Sequence, residues 1–333
     1  MVNTEYHLLL SIGIINRYFK ENYKTTICRV SPINGSRLNN INLKDSSIEY
    51  VEIFYDYSGP NIELKRKLKG IIARKPTVFF FFLENKFWMN YFFARLHKVG
   101  TKIILGPDGM KAYASHKRSL KYRVQAYLQG LIYSLGSGII ESPPFVENRY
   151  ATSKYIDEVW VENSALYNNA TNKKVVEFEL SYDFEYVKIL NKVFRATEED
   201  FSLMQQKTIL YVDSAIKSEP YFNKAIEVVT FFQNKYPDRK IFIKLHPNTS
   251  IQAKNKYSSI KDVKYLETNY PAELYIANAS DSIIVSLVST SLLFYNPKCE
   301  YFWTYPIFRG IVNYSRLVNP TKHIKIISDL SKM

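Results

Sequence analysis

Two α/β domains, each a doubly wound parallel sheet, are what this sequence predicts. Three observations predict it. Short apolar runs alternate with longer amphipathic stretches, the alternation restarts after a polar stretch at Arg195-Ala196-Thr197-Glu198-Glu199-Asp200, and 333 residues are enough for two such domains. In the first half, the run Leu8-Leu9-Leu10-Ser11-Ile12 reads as a strand over 6–12, and Gly13-Ile14-Ile15-Asn16-Arg17-Tyr18-Phe19 opens a helix over 13–22. A strand at 49–54, a helix at 62–73, and strands at 77–83 and 101–105 follow. A long helix at 117–134 and the strand Asp157-Glu158-Val159-Trp160-Val161 complete this half.

After the polar stretch, Thr208-Ile209-Leu210-Tyr211-Val212-Asp213 begins a second series. It continues with a helix at 219–235, strands at 240–245 and 262–266, a helix at 271–278, a strand at 282–286 and a helix at 289–295. The boundary falls within 185–205, giving a first domain over 1–190 and a second over 205–333. Sheets of this kind take ligands at the carboxyl ends of their strands, so two of them facing across a cleft is the expected architecture.

Composition narrows the function. With 46% hydrophobic and 23% charged residues the chain folds around a core and is not a disordered polymer. The aromatic share, 15%, is high, and most of it lies inside apolar runs, where it fills cores. A net charge of +14 calls for anionic partners: a nucleotide sugar, a nucleic acid or an anionic lipid surface. Cys28 and Cys299 stand far apart without metal-ligand spacing, so neither a zinc site nor a disulfide framework is expected. The first residues lack the basic segment of a signal peptide, and the longest apolar run, Thr77–Leu83, is too short to span a bilayer. A cytoplasmic location is expected, with peripheral contact to the inner face of the membrane. Lys65, Arg66, Lys67, Lys69, Arg74 and Lys75, mixed with Leu68, Ile71 and Ile72, are the candidate contacts.

Three segments can carry chemistry. The strand Ile241–Leu245 runs into His246-Pro247, and the proline forces His246 into extended geometry at the strand tip. The strand ending at Ser286 empties into Ser289, Thr290 and Ser291, hydroxyls at the start of the next element, where orphan N–H groups already attract phosphate. Glu273, between these segments, is placed to accept from ribose hydroxyls. In the first half, Asp108-Gly109 follows the strand 101–105, and a carboxylate beside glycine can approach a substrate as general base. Taken singly, each motif also fits a plain role: a capping histidine, an ordinary helix cap, a turn.

Taken together, their order and spacing resemble the bacterial sialyltransferases of GT-B fold, the group of lipooligosaccharide and capsule sialyltransferases and polysialyltransferases. Those enzymes share an acidic-acidic-Gly motif, a His-Pro motif and a Ser/Thr motif. The resemblance spans both halves but rests on a small number of residues. It implies that Asp108 is the catalytic base and His246 faces the donor phosphate. It also implies that Pro247, Ser289, Thr290, Ser291 and Glu273 form the CMP site. Gly109, Lys111 and Tyr113 are the acceptor-side candidates, with residues 106–118 and 141–152 contributing loops. One departure stands out: Pro107 occupies the position of the family's first acid.

The activity so implied is an inverting transfer of sialic acid from CMP-sialic acid to a sugar hydroxyl, with a galactose-terminated capsule or lipooligosaccharide glycan as acceptor. No cofactor and no metal are expected, because the chain lacks Asp-x-Asp and a CMP-sugar carries a single phosphate. Two rivals keep the fold and change the donor: a transferase of Kdo or another nonulosonic acid, and a CDP-polyol phosphotransferase. A third, a non-catalytic nucleic-acid-binding module, asks for basic and aromatic residues gathered together. Here the basic residues are spread along the chain, so no nucleic-acid partner is expected.

Overall fold

In the computed structural model the chain divides into two units, each built on parallel strands. All residues are described except 22, 33–40, 44–47, 56–61, 85, 114–118, 137, 140–145, 147–149, 168–171, 181, 247, 249, 267–269, 288 and 313–320. The first unit comprises Met1–Asn39, Leu43–Leu180 and Ser315–Pro320; the second comprises Asn40–Asn42, Ser181–Tyr314 and Thr321–Met333.

The first element corrects the sequence expectation. Residues Glu5–Ile14 form helix α1, not a strand, and a π-helical turn, Ile15–Phe19, extends it. Thr4 caps it, its hydroxyl accepting from the His7 N–H at 3.2 Å. Leu8, Leu9, Leu10, Ile12 and Ile14 are all buried, so the helix is apolar around most of its circumference. That removes the period that would have distinguished it from a buried strand.

Strands β1 (Thr26–Pro32) and β2 (Glu49–Tyr55) pair in parallel. Helix α2 (Ile62–Ala73) follows, then β3 (Val78–Phe81), α3 (Met89–Lys98) and β4 (Lys102–Leu105). Helix α4 (Leu120–Gly136), β5 (Glu158–Val161) and β6 (Lys174–Glu177) complete the unit. Strands β3-β4-β5-β6 form a four-stranded parallel sheet in that order. Phe79, Phe81, Trp88, Phe92 and Phe93 fill its core, which is where much of the aromatic surplus goes.

Helix α2 does not present the lipid-facing surface expected of it. Leu64 and Leu68 are fully buried, and Ile71 and Ile72 pack against the same cluster. Arg66 donates to Glu63 at 2.6 and 2.7 Å, and the Lys67 ammonium to the Glu52 carbonyl. The apolar residues that were to meet lipid meet the core instead.

The second unit opens with α5 (Phe184–Val193), which straddles the expected end of the first domain at 190 and lies wholly in the second unit. Asn191 on α5 exchanges two 2.9 Å amide hydrogen bonds with Asn278, tying the helix into the second unit. Next come β7 (Lys207–Val212), α6 (Glu219–Lys235), β8 (Lys240–Lys244), α7 (Ser250–Tyr257) and β9 (Lys264–Tyr265). Helix α8 (Ala272–Ala277), β10 (Asp281–Ser286), β11 (Cys299–Trp303) and β12 (Ile324–Ile326) follow. The helix expected at 289–295 is a single 3-10 turn, Thr290–Leu293. The sheet order is β12-β11-β10-β7-β8-β9, all parallel. Chain order therefore runs outward from β7 to one edge, returns to β10 and runs to the other. The reversal point lies between β7 and β10, where such sheets bind nucleotides.

Candidate active site

At the carboxyl edge of the first unit, three adjacent strands end in carboxylates: Glu84 after β3, Asp108 after β4 and Glu162 after β5. Their surroundings differ. Glu84 is buried and accepts from the backbone N–H groups of Ser153 at 3.2 Å and Thr152 at 3.4 Å. Glu162 accepts from the Tyr113 hydroxyl at 2.9 Å, and burial pushes its carboxyl pKa up. Asp108 is the most open, with its side chain 26% exposed, and lies 3.1 Å from Nε2 of His7.

That contact is built by α1. The Thr4 cap places His7 in the first helical turn, where its imidazole stacks on Phe82 with centroids 4.6 Å apart and planes 5° from parallel. The ring is fully buried. Its Nδ1 has no hydrogen-bond partner among the described residues, so the network assigns the ring proton to Nε2, which donates to Asp108. A buried donor of this kind fixes the orientation of a carboxylate that is itself partly exposed.

The turn that carries Asp108 is equally constrained. A Cβ on Gly106 would overlap the rings of Phe80 and Phe82, so any larger residue there forces this aromatic pair to shift. Tyr150 donates to the Gly106 carbonyl from the other side. Gly109, at φ +54, adopts the left-handed conformation that turns the chain into the 3-10 segment Gly109–Tyr113.

In the second unit, His246 sits one residue past Leu245 at the β8 tip. Its Nδ1 accepts from the Asn248 N–H at 3.2 Å, which leaves Nε2 as the ring's donor. Beneath it lies Asp213, at the tip of β7, the neighbouring strand. Asp213 accepts from the hydroxyls of Tyr257 at 2.8 Å and Tyr221 at 2.9 Å, and from the backbone N–H groups of Ser214 and His246. Burial pushes its carboxyl pKa up despite these donors. A buried carboxylate with several donors is a rigid anchor, and this one holds the histidine's backbone.

On the other side of β7, Ser289, Ser291 and Glu273 form a relay. The Ser289 hydroxyl donates to Ser291 at 3.1 Å, and Ser291 donates to Glu273 at 2.8 Å. Glu273 and Ser291 are buried, while Ser289 and Thr290 are half-buried. With β7 between β8 and β10, His246 and the serines flank the reversal point, about two strand spacings (~10 Å) apart.

The structure thus gathers His246, Glu273, Ser289, Thr290 and Ser291 along the carboxyl edge of one sheet, and puts Asp108 at the carboxyl edge of the other. Pro247 lies outside the described residues. Lys111 lies in the 3-10 segment after Gly109. Tyr113 is a correction: its ring is only 1% exposed, and its hydroxyl bonds Glu162 and accepts from the Glu162 and Asn163 N–H groups. It braces the β5 tip and is not open to an acceptor. Sequence reasoning missed His7, hidden in a segment read as a strand, and Asp213, read only as the end of one. Among the described residues no group of three or more His, Cys, Asp or Glu is placed to hold a metal ion.

A sequence profile of the family described as Alpha-2,8-polysialyltransferase matches residues 7–299. No curated protein matches the chain. Among solved structures, it is similar to the 2,6-sialyltransferase of Vibrionaceae Photobacterium sp. JT-ISH-224, determined with CMP and lactose. The TM-score is 0.50 at 11% identity, covering 89% of this chain and 69% of that one. A sialyltransferase GT-B domain from Photobacterium damselae aligns with TM-score 0.48 and 13% identity over 89% and 87% of the two chains. UDP-GlcNAc 2-epimerase from Neisseria meningitidis, bound to UDP-GlcNAc, aligns with TM-score 0.44 and 14% identity over 85% and 75%. At these identities the structural likeness is one of fold alone.

Proposed function

Because the chain belongs to the alpha-2,8-polysialyltransferase family, and is on that ground a glycosyltransferase that moves sialic acid, we propose that its donor is CMP-sialic acid and that transfer inverts the anomeric centre. The observation that carries this reading is the partly open Asp108 carboxylate, oriented by a buried histidine at a strand tip.

In the reaction, an acceptor hydroxyl oxygen bonds to the anomeric carbon as that carbon's bond to the CMP phosphate breaks. Asp108 takes the hydroxyl proton, and the electron pair of the broken bond leaves on the phosphate. Attack opposite the leaving group inverts the centre. His246, through Nε2, and the hydroxyls of Ser289 and Thr290 stabilise the charge that grows on the departing phosphate. Glu273, with Ser291 on its carboxylate, holds the ribose side. One phosphate asks for no second countercharge, which supports a reaction without metal or other cofactor.

The family's description supports an acceptor that ends in sialic acid, since an α2,8 bond joins one sialic acid to another. The enzyme's place, on this reading, is the cytoplasm beside the inner membrane face, where a +14 chain meets anionic lipid. The test is incubation with CMP-sialic acid and a panel of sialic-acid-terminated and galactose-terminated glycans, followed by product mass and linkage analysis. Products longer by one or more sialic acids in α2,8 linkage support the reading. Transfer from CMP-Kdo or a CDP-polyol in place of CMP-sialic acid overturns it.

A further inference from the structure

Helix α4 sits in the first unit with its polarity reversed. Its buried residues are Gly130 and Ser134. Tyr133, beside them, packs its ring against Phe87 at 5.7 Å and takes a 2.9 Å hydrogen bond from Gln129. The helix therefore rests on the core through small residues and one tyrosine. On its outward side Leu120, Val124, Tyr127, Leu128, Ile132 and Leu135 recur at helical spacing and stay exposed, with Leu120 at 73%, Ile132 at 67%, Leu135 at 61% and Leu128 at 54%. Single exposed leucines need no explanation, but a continuous stripe of six large apolar residues marks a surface that is covered in use.

The charges on this helix say what covers it. Residues 120–136 contain Lys121 and Arg123 and no aspartate or glutamate. Both cations lie in the first turn, in a chain of net charge +14: Lys121 is exposed among the apolar residues, and Arg123 is half-buried with its Nε shielded. A second copy of this helix would bring no carboxylate to meet them. An anionic phospholipid headgroup layer would, and its acyl boundary would take the leucines and isoleucine, with Tyr127 at the interface. At 17 residues with one exposed face, α4 has the form of a helix that lies in the bilayer surface; no helix among the described residues is long and apolar enough to cross a membrane.

We infer that α4 is the surface by which this protein docks on an anionic phospholipid bilayer. The inference holds whichever sugar the enzyme transfers, because it uses none of the residues assigned to donor or base. It also relocates the membrane contact from α2, whose apolar residues are spent in the core.

The experiment is flotation of the full chain with vesicles of phosphatidylcholine alone or mixed with phosphatidylglycerol, at low and high salt. The wild type is expected to float with the mixed vesicles and to bind the neutral ones weakly. The double variant Leu128→Glu/Ile132→Glu is expected to lose about tenfold or more of its vesicle affinity while its thermal midpoint and its turnover of a soluble acceptor stay unchanged. Lys121→Gln is expected to weaken binding to the mixed vesicles and to reduce its dependence on salt. The inference is overturned if the double variant floats like the wild type. It is overturned equally if the wild type ignores both vesicles and sediments as a dimer that the double variant dissolves.

Discussion

His7 is the residue whose role depends most on the fold and least on its neighbours in sequence. Its imidazole reaches Asp108 across 101 positions of chain, and only because α1 brings its first turn against the β4 tip. Asp108 itself was legible, since a carboxylate followed by glycine after an apolar strand advertises a turn at a sheet edge. Its partner was not, because a lone histidine in an apolar run carries no signal until that run is known to be a helix. Replacing His7 by Gln is expected to slow transfer about a hundredfold through misplacement of the carboxylate, with the donor KM little changed. Steady-state kinetics against CMP-sialic acid check the split. Beneath His246, Tyr257→Phe removes one donor from a buried carboxylate. It is expected to cost about 1–3 kcal/mol of stability, read by urea denaturation, and to weaken CMP binding through the displaced histidine.

At the scale of elements, the sequence was most readable where a strong period had flanking punctuation. Helices at 62–73 and 219–235 fall where the amphipathic pattern places them. Strand β1 was missed because its Arg29 breaks the apolar alternation, yet that arginine is buried and held by Glu52 at 2.8 Å. Helix α5 has no counterpart among the expected elements because it runs into the interval 185–205, where the strand–helix alternation pauses before restarting. The strand β5 carries a pH-dependent tie. Burial alone would raise the Glu158 carboxyl, but hydrogen bonds from Lys174, Lys102 and the Trp160 indole outweigh it and hold the pKa at about 2, below the ordinary 4.5. A depressed carboxyl contributes its stability above the unfolded value and loses it as pH falls through the folded one. Glu158→Gln is therefore expected to be less stable than the wild type above about pH 4.5, with the gap closing toward pH 2; urea midpoints across that range check it. Gly106→Ala is expected to destabilise the β4 turn at any pH, because the rings of Phe80 and Phe82 occupy the space of the new methyl group.

At the scale of the molecule, the division into two parallel-sheet units followed from the restart of strand–helix alternation near residue 208. What the pattern could not give was strand order. The sequence β9-β8-β7-β10-β11-β12 across the second sheet places its reversal between two particular strands, and that long-range pairing leaves no local trace. It is nevertheless what brings a His-Pro motif and a Ser/Thr motif to the two sides of β7 at one sheet edge, where we propose that CMP binds. CMP is accordingly expected to raise the thermal midpoint of the wild type, by an amount equivalent to about 2.7 kcal/mol at a hundredfold excess over Kd, and to do so more than CDP. His246→Ala should lose that rise.

In the proposed mechanism proton removal and phosphate binding fall to residues of different units, and Asp108→Asn separates them most directly. Its transfer rate under saturating CMP-sialic acid is expected to fall by about a hundred- to ten-thousandfold, with CMP affinity by calorimetry within about twofold of the wild type. Turnover at the wild-type rate, or loss of CMP binding together with the rate, would contradict it.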